Sequence, residues 1–128
     1  MPINSYKDLQ NFLNSVLTAN GQLADCKSGA CPHRDFWNNL SYNDFVNGPI
    51  PNVKDPTTNP PSAMPILVKG DSQHSNIILA LSGAPGTLFD PNNPSPNAFG
   101  QMPADGPPFF SAAQIAEIAA WIDAGCPQ

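Results

Sequence analysis

Charge is scarce in this chain. Only 5 Lys and Arg stand against 10 Asp and Glu in 128 residues, a formal net charge of -5. That balance argues against nucleic acid and against anionic membrane surfaces, both of which select basic patches. Long apolar runs are missing too: none approaches the roughly 20 residues of a membrane span. There is no glycine-rich phosphate loop, nucleophile elbow, HExxH helix or paired-carboxylate signature. Nothing therefore points to an enzyme. A signal-peptide pattern is absent at the start. Few charges, many Asn and Pro, and two closely spaced cysteines nonetheless lean towards an exported protein, periplasmic or extracellular, whose signal has been removed.

Proline, by contrast, is abundant, with 16 residues. Since proline fixes φ and removes a donor, this predicts long ordered loops. A hydrophobic fraction of 41% is enough for one globular domain over residues 1–128. Four helices are predicted. Ser5 to Thr18 carries an apolar stripe of Leu9, Phe12, Leu13, Val16 and Leu17, ended by Asn20-Gly21. Ser41 to Asn47 begins with a capping pattern and stops at Gly48-Pro49. Ser75 to Leu81 turns Ile77, Ile78 and Leu81 inward and closes at Gly83. Ser111 to Ala124 carries the strongest signals: a Ser111/Gln114 capping box, a Phe110/Ile115 staple, an apolar face of Ile115, Ile118, Ala119 and Ile122, and a Gly125 stop. Ile66-Leu67-Val68 reads as a short strand or extended packing segment. Pro49 to Pro65 and Gly83 to Pro108 read as irregular loops, and loops this long in a compact domain usually serve function.

Two places carry metal or cofactor chemistry. Cys26-Lys27-Ser28-Gly29-Ala30-Cys31-Pro32-His33 puts two thiols and an imidazole within eight residues. This fits a metal or haem site, or equally a Cys26–Cys31 disulfide closing a small loop. Met102, before Pro103 at the mouth of a loop, offers a thioether sulfur that haem iron accepts as an axial ligand, or else fills the core. A copper or zinc site from His33, His74 and a cysteine is compatible with ligand softness, but the spacings match no zinc pattern. His74 itself reads as solvent-exposed, and Trp37 and Trp121 as core anchors.

Taken together, these segments resemble class I cytochrome c domains, most closely the branch found in large multi-domain bacterial proteins. The likeness rests on Leu40-Ser41-Tyr42-Asn43-Asp44-Phe45, on Gly70-Asp71-Ser72-Gln73-His74-Ser75, on the Met102 to Pro108 loop, and on Trp121-Ile122-Asp123-Ala124-Gly125. It covers most of the chain and is most specific in the last third. It implies a mainly α, cytochrome c-like fold of three to four helices, in which the last helix lies across the first. It implies a haem with His33 and Met102 as axial ligands and Cys26 and Cys31 as thioether positions. It further implies single-electron transfer to a redox partner protein or within a larger parent protein. The chain departs from the family in one respect: the contiguous Cys-x-x-Cys-His is replaced by a wider spacing with Pro32 inserted. The alternative is a haem-free cytochrome c fold, a binding or assembly module stapled by a disulfide from Cys126 to Cys26 or Cys31.

Overall fold

The computed structural model describes residues 3–27, 33–103 and 106–128. Among these residues the chain forms six α-helices, a short 3₁₀ turn and one two-stranded sheet. The mainly α class stands, with more pieces than the three to four helices expected.

Helix α1 (Tyr6–Ala19) is capped by the Ser5 side chain, which accepts from the Asp8 N–H, and buries Tyr6, Leu9, Leu13, Val16 and Leu17. Two short helices follow, α2 (Leu23–Lys27) and α3 (Phe36–Asn39). Four or five residues are too few to show a helical period, so the sequence reads there as loop. An amide cluster ties α3 to α1: Asn14 Oδ1 accepts from Trp37 Nε1 at 2.8 Å and from Asn38 Nδ2 at 2.9 Å. Helix α4 (Tyr42–Asn47) takes its cap from Ser41 and buries Phe45 and Val46.

Strands β1 (Pro49–Asp55) and β2 (Ser62–Pro65) then pair antiparallel, Lys54 opposite Ala63 and Asp55 opposite Ser62, with a register irregularity between Pro49 and Lys54. This hairpin replaces the irregular loop expected at 49–65. A two-stranded sheet has only edge strands, so prolines survive where their missing N–H faces no partner. Beyond it, Ile66 and Leu67 are buried as extended packing, not as a regular strand. A 3₁₀ turn (Ser72–His74) leads into α5 (Asn76–Ser82), which ends at Gly83 with φ 58°. The left-handed turn brings the chain so close to Gln101 that a Cβ at Gly83 would lie 3.0 Å from its side chain.

Helix α6 (Ala112–Asp123) has the predicted capping box in full: Ser111 accepts from the Gln114 N–H, and Gln114 reaches back to the Ser111 N–H. Its Ile118, Trp121 and Ile122 join the α1 stripe and Phe36, Trp37, Phe45, Ile66 and Phe110 in one core. Helices α1 and α6 thus share one core, and α6 also packs against α5 and the 3₁₀ turn. Asp123 secures that contact by accepting from the Ser72 N–H and hydroxyl, both at 2.8 Å. No helix among the described residues is long and apolar enough to cross a membrane.

Candidate functional site

Between α1, α2, α3, the hairpin, α5 and the loop after it lies an apolar cavity of about 290 Å³. Leu13 and Leu17 of α1, Ile66, Leu81 of α5, and Phe110 form its aliphatic and aromatic walls. Phe89 and Phe99 close one side, their rings tilted at 31° with centroids 5.5 Å apart. Three of the four residues singled out for a cofactor, Cys26, His33 and Met102, line this cavity. The fourth, Cys31, lies outside the described residues.

Each of the three is placed by its local backbone. Cys26 is buried near the end of α2, whose start is hung from α1 by the Gln22 N–H donating to the Leu17 carbonyl at 2.8 Å. His33 precedes Arg34, which sits in the left-handed region at φ 52°. That bend brings the Arg34 carbonyl oxygen to 2.7 Å from His33 Nδ1. A carbonyl only accepts, so Nδ1 carries the proton and the Nε2 lone pair is left for an acceptor of electrons such as a metal. The imidazole also packs edge-on to Phe36, centroids 5.2 Å apart at 82°. Met102 is fixed from behind: its N–H donates to the Ala80 carbonyl at 2.9 Å, and Gln101 Nε2 donates to the Leu81 carbonyl at 3.1 Å. The sulfur-bearing residue is thus held against α5 by two hydrogen bonds outside any regular element.

His74 is not brought to this site. It is exposed, its Nδ1 2.7 Å from an Asp71 carboxylate oxygen. A site combining His33, His74 and a cysteine therefore does not form. Among the described residues no group of three or more His, Cys, Asp or Glu side chains is placed to hold a metal ion. Trp37 and Trp121 are core anchors as expected, and Trp37 also lines the cavity.

Cys126 stands apart from this cavity. No disulfide joins it to Cys26; its thiol is free and buried. The reason is its position. Tyr42 donates its hydroxyl to the Cys126 carbonyl, and the thiol faces the Lys69-Gly70 turn, away from the cavity. Burial raises its pKa above the ordinary thiol value, while the Lys69 charge and the Gly70 N–H pull it partly back. The thiol is thereby inert packing.

Sequence reasoning missed the cavity wall supplied by β1: Ile50, Asn52, Val53 and Lys54. The only available signal was the Ile50/Val53 apolar pair inside a proline-rich stretch, too sparse to define a face. No protein-family model, curated protein or solved structure matches this chain.

Proposed function

We propose that this chain is a haem-binding domain of cytochrome c-like architecture that transfers single electrons, in which His33 and Met102 would hold the iron. One observation carries the reading: His33 and Met102, 69 positions apart by number, line one apolar cavity together with Cys26. The donor set fits the group. Haem iron needs only two protein ligands, an imidazole nitrogen and a thioether sulfur, so a site without a larger cluster of titratable ligands suits it. The His33 Nδ1 bond to the Arg34 carbonyl is the kind of outer contact that fixes the tautomer and orientation of a ligating imidazole.

Bound haem supplies a reversible one-electron couple. The chain supplies everything around it. Nε2 of His33 would be the nitrogen that coordinates the iron, since Nδ1 faces the Arg34 carbonyl. Met102 offers a soft, uncharged sulfur from a loop pinned to α5. The aliphatic and aromatic lining excludes water and favours the less charged state of whatever it encloses. Cys26 stands where one thioether would form, and Cys31 is the proposed second position. The proposed setting is an exported protein, with a redox partner protein or a larger parent chain receiving the electron.

The rival reading is a haem-free cytochrome c-fold binding or assembly module stapled by a disulfide. Titration of the purified protein with ferric haem tests the proposal. A shifted Soret band and a sharp low-spin spectrum on reduction are expected, and Met102→Ala should convert the spectrum to a different ligation state. Absence of any haem-dependent Soret shift overturns it.

A further inference from the structure

The polar part of the cavity lining comes from two sides, one of them the hairpin. Apart from Cys26 and His33, it comes from Asn52 and Lys54 of β1 and from Asn76 at the start of α5. Asn76 is tied to the hairpin at its Pro49 end: its Nδ2 donates to the Pro65 carbonyl at 2.8 Å, and Pro65 pairs with Pro49, while Lys54 lies further along, opposite Ala63. Along β1 the lining passes from half-buried Ile50 to exposed Asn52 and Lys54, so it turns polar as it reaches solvent. Lys54 is the one cation in the lining. Among the described residues no carboxylate lies within ion-pair distance of it. The adjacent Asp55 is turned to its own loop, accepting from the Thr57 N–H at 2.8 Å.

From this we infer that the β1 edge orients the ligand: the cavity takes a flat apolar group whose carboxylates leave it beside β1, where the Lys54 ammonium pairs with one of them. The inference rests on the haem reading and adds which way the haem lies. A carboxylate set among Leu13, Ile66 and Phe110 would lose its hydration with no donor in return, a large penalty. At the β1 edge it keeps water and gains a cation. The pair is charge-assisted but solvent-exposed, so its contribution is moderate and sensitive to salt.

The test compares ferric haem with its dimethyl ester, which has the same body and no carboxylate, in Soret titrations of the full chain. The unmodified protein should bind the free acid about threefold to tenfold more tightly than the ester, and the ratio should shrink at high ionic strength. Lys54→Met should bring the ratio of acid to ester affinity close to one, and a circular dichroism spectrum matching that of the unmodified protein reports that the variant is folded. Lys54→Arg should keep the preference. If Lys54→Met binds both forms but retains the full preference for the acid, the orientation is overturned and the haem reading survives. If neither form binds the unmodified protein, both fall together.

Discussion

Single residues in this protein are fixed by carbonyls as much as by packing. Tyr6 is the clearest case. Its hydroxyl proton lies within reach of two carbonyl oxygens, Trp37 at 2.8 Å and Leu40 at 2.9 Å, and so clamps α1 onto the chain leaving α3. Burial pushes its pKa up to about 12, only partly offset by Gln10. The native state therefore holds this proton where an unfolded Tyr, near 10, has released it. Stability should be fully present below pH 10 and fall as pH rises from about 10 to 12. Tyr6→Phe should cost about 1–2 kcal/mol at neutral pH by leaving the Leu40 carbonyl without its hydroxyl donor, while the Trp37 carbonyl keeps Gln10 Nε2 at 2.7 Å, and should flatten that alkaline fall. Urea unfolding of both proteins between pH 8 and 12 checks this; an identical alkaline slope in the variant would contradict it. His33 and Met102 were legible at this scale, because an imidazole near two thiols and a Met-Pro at a loop mouth are rare enough to notice. Lys54 was not. Its place in the lining depends on a hairpin that brings it to the cavity, and nothing in its neighbours in sequence carries that information.

Elements divide the same way. The four predicted helices fall where the sequence places them; in three of them Ser5, Ser41 and Ser111 each accept from an N–H three residues on, while α5 starts without a side-chain cap and ends at Gly83. A signal that is local in the chain is readable in the chain. The hairpin 49–65, α2 and α3 were missed for the converse reason. Their stability is tertiary: α3 is bound to α1 through Asn14, and the hairpin lies against the cavity, with no period or turn pattern of its own. Two substitutions separate the local from the tertiary contributions. Ser111→Ala removes half of the capping box and should cost about 1 kcal/mol. Asp123→Ala leaves the Ser72 N–H and hydroxyl without their acceptor and should cost about 1–3 kcal/mol, since Ser72 is buried. Thermal unfolding should rank Asp123→Ala as the more damaging; the reverse order would show that α6 is held by its cap and not by its contact with the 3₁₀ turn.

At the scale of the whole molecule, one core joins α1 to α6 and leaves one face open as the cavity. Ile118 sits in that core with no exposed surface. Ile118→Ala should cost about 2–5 kcal/mol, and a loss under half of the lower figure in denaturant unfolding would refute the shared core. Cys126 belongs to the same core, 1% exposed, with its thiol pKa raised. Alkylation of Cys126 in the native protein, followed by mass spectrometry, should proceed only at the rate of opening of the fold; rapid labelling would mean that the C-terminal turn is not closed over it. The mainly α class was readable because helices are written locally. The cavity was not, because it is what remains between elements whose spacing only the folded chain sets.

The central claim is that His33 and Met102 together hold a haem iron in this cavity. The most direct measurement is the visible spectrum of the haem-titrated protein, reduced and oxidised, beside those of His33→Ala and Met102→Ala. The account predicts one haem per chain, a sharp low-spin α band on reduction, loss of binding or of the low-spin form in His33→Ala, and a changed ligation state in Met102→Ala. A haem-titrated protein with no Soret shift, or one whose spectrum neither substitution alters, would contradict it.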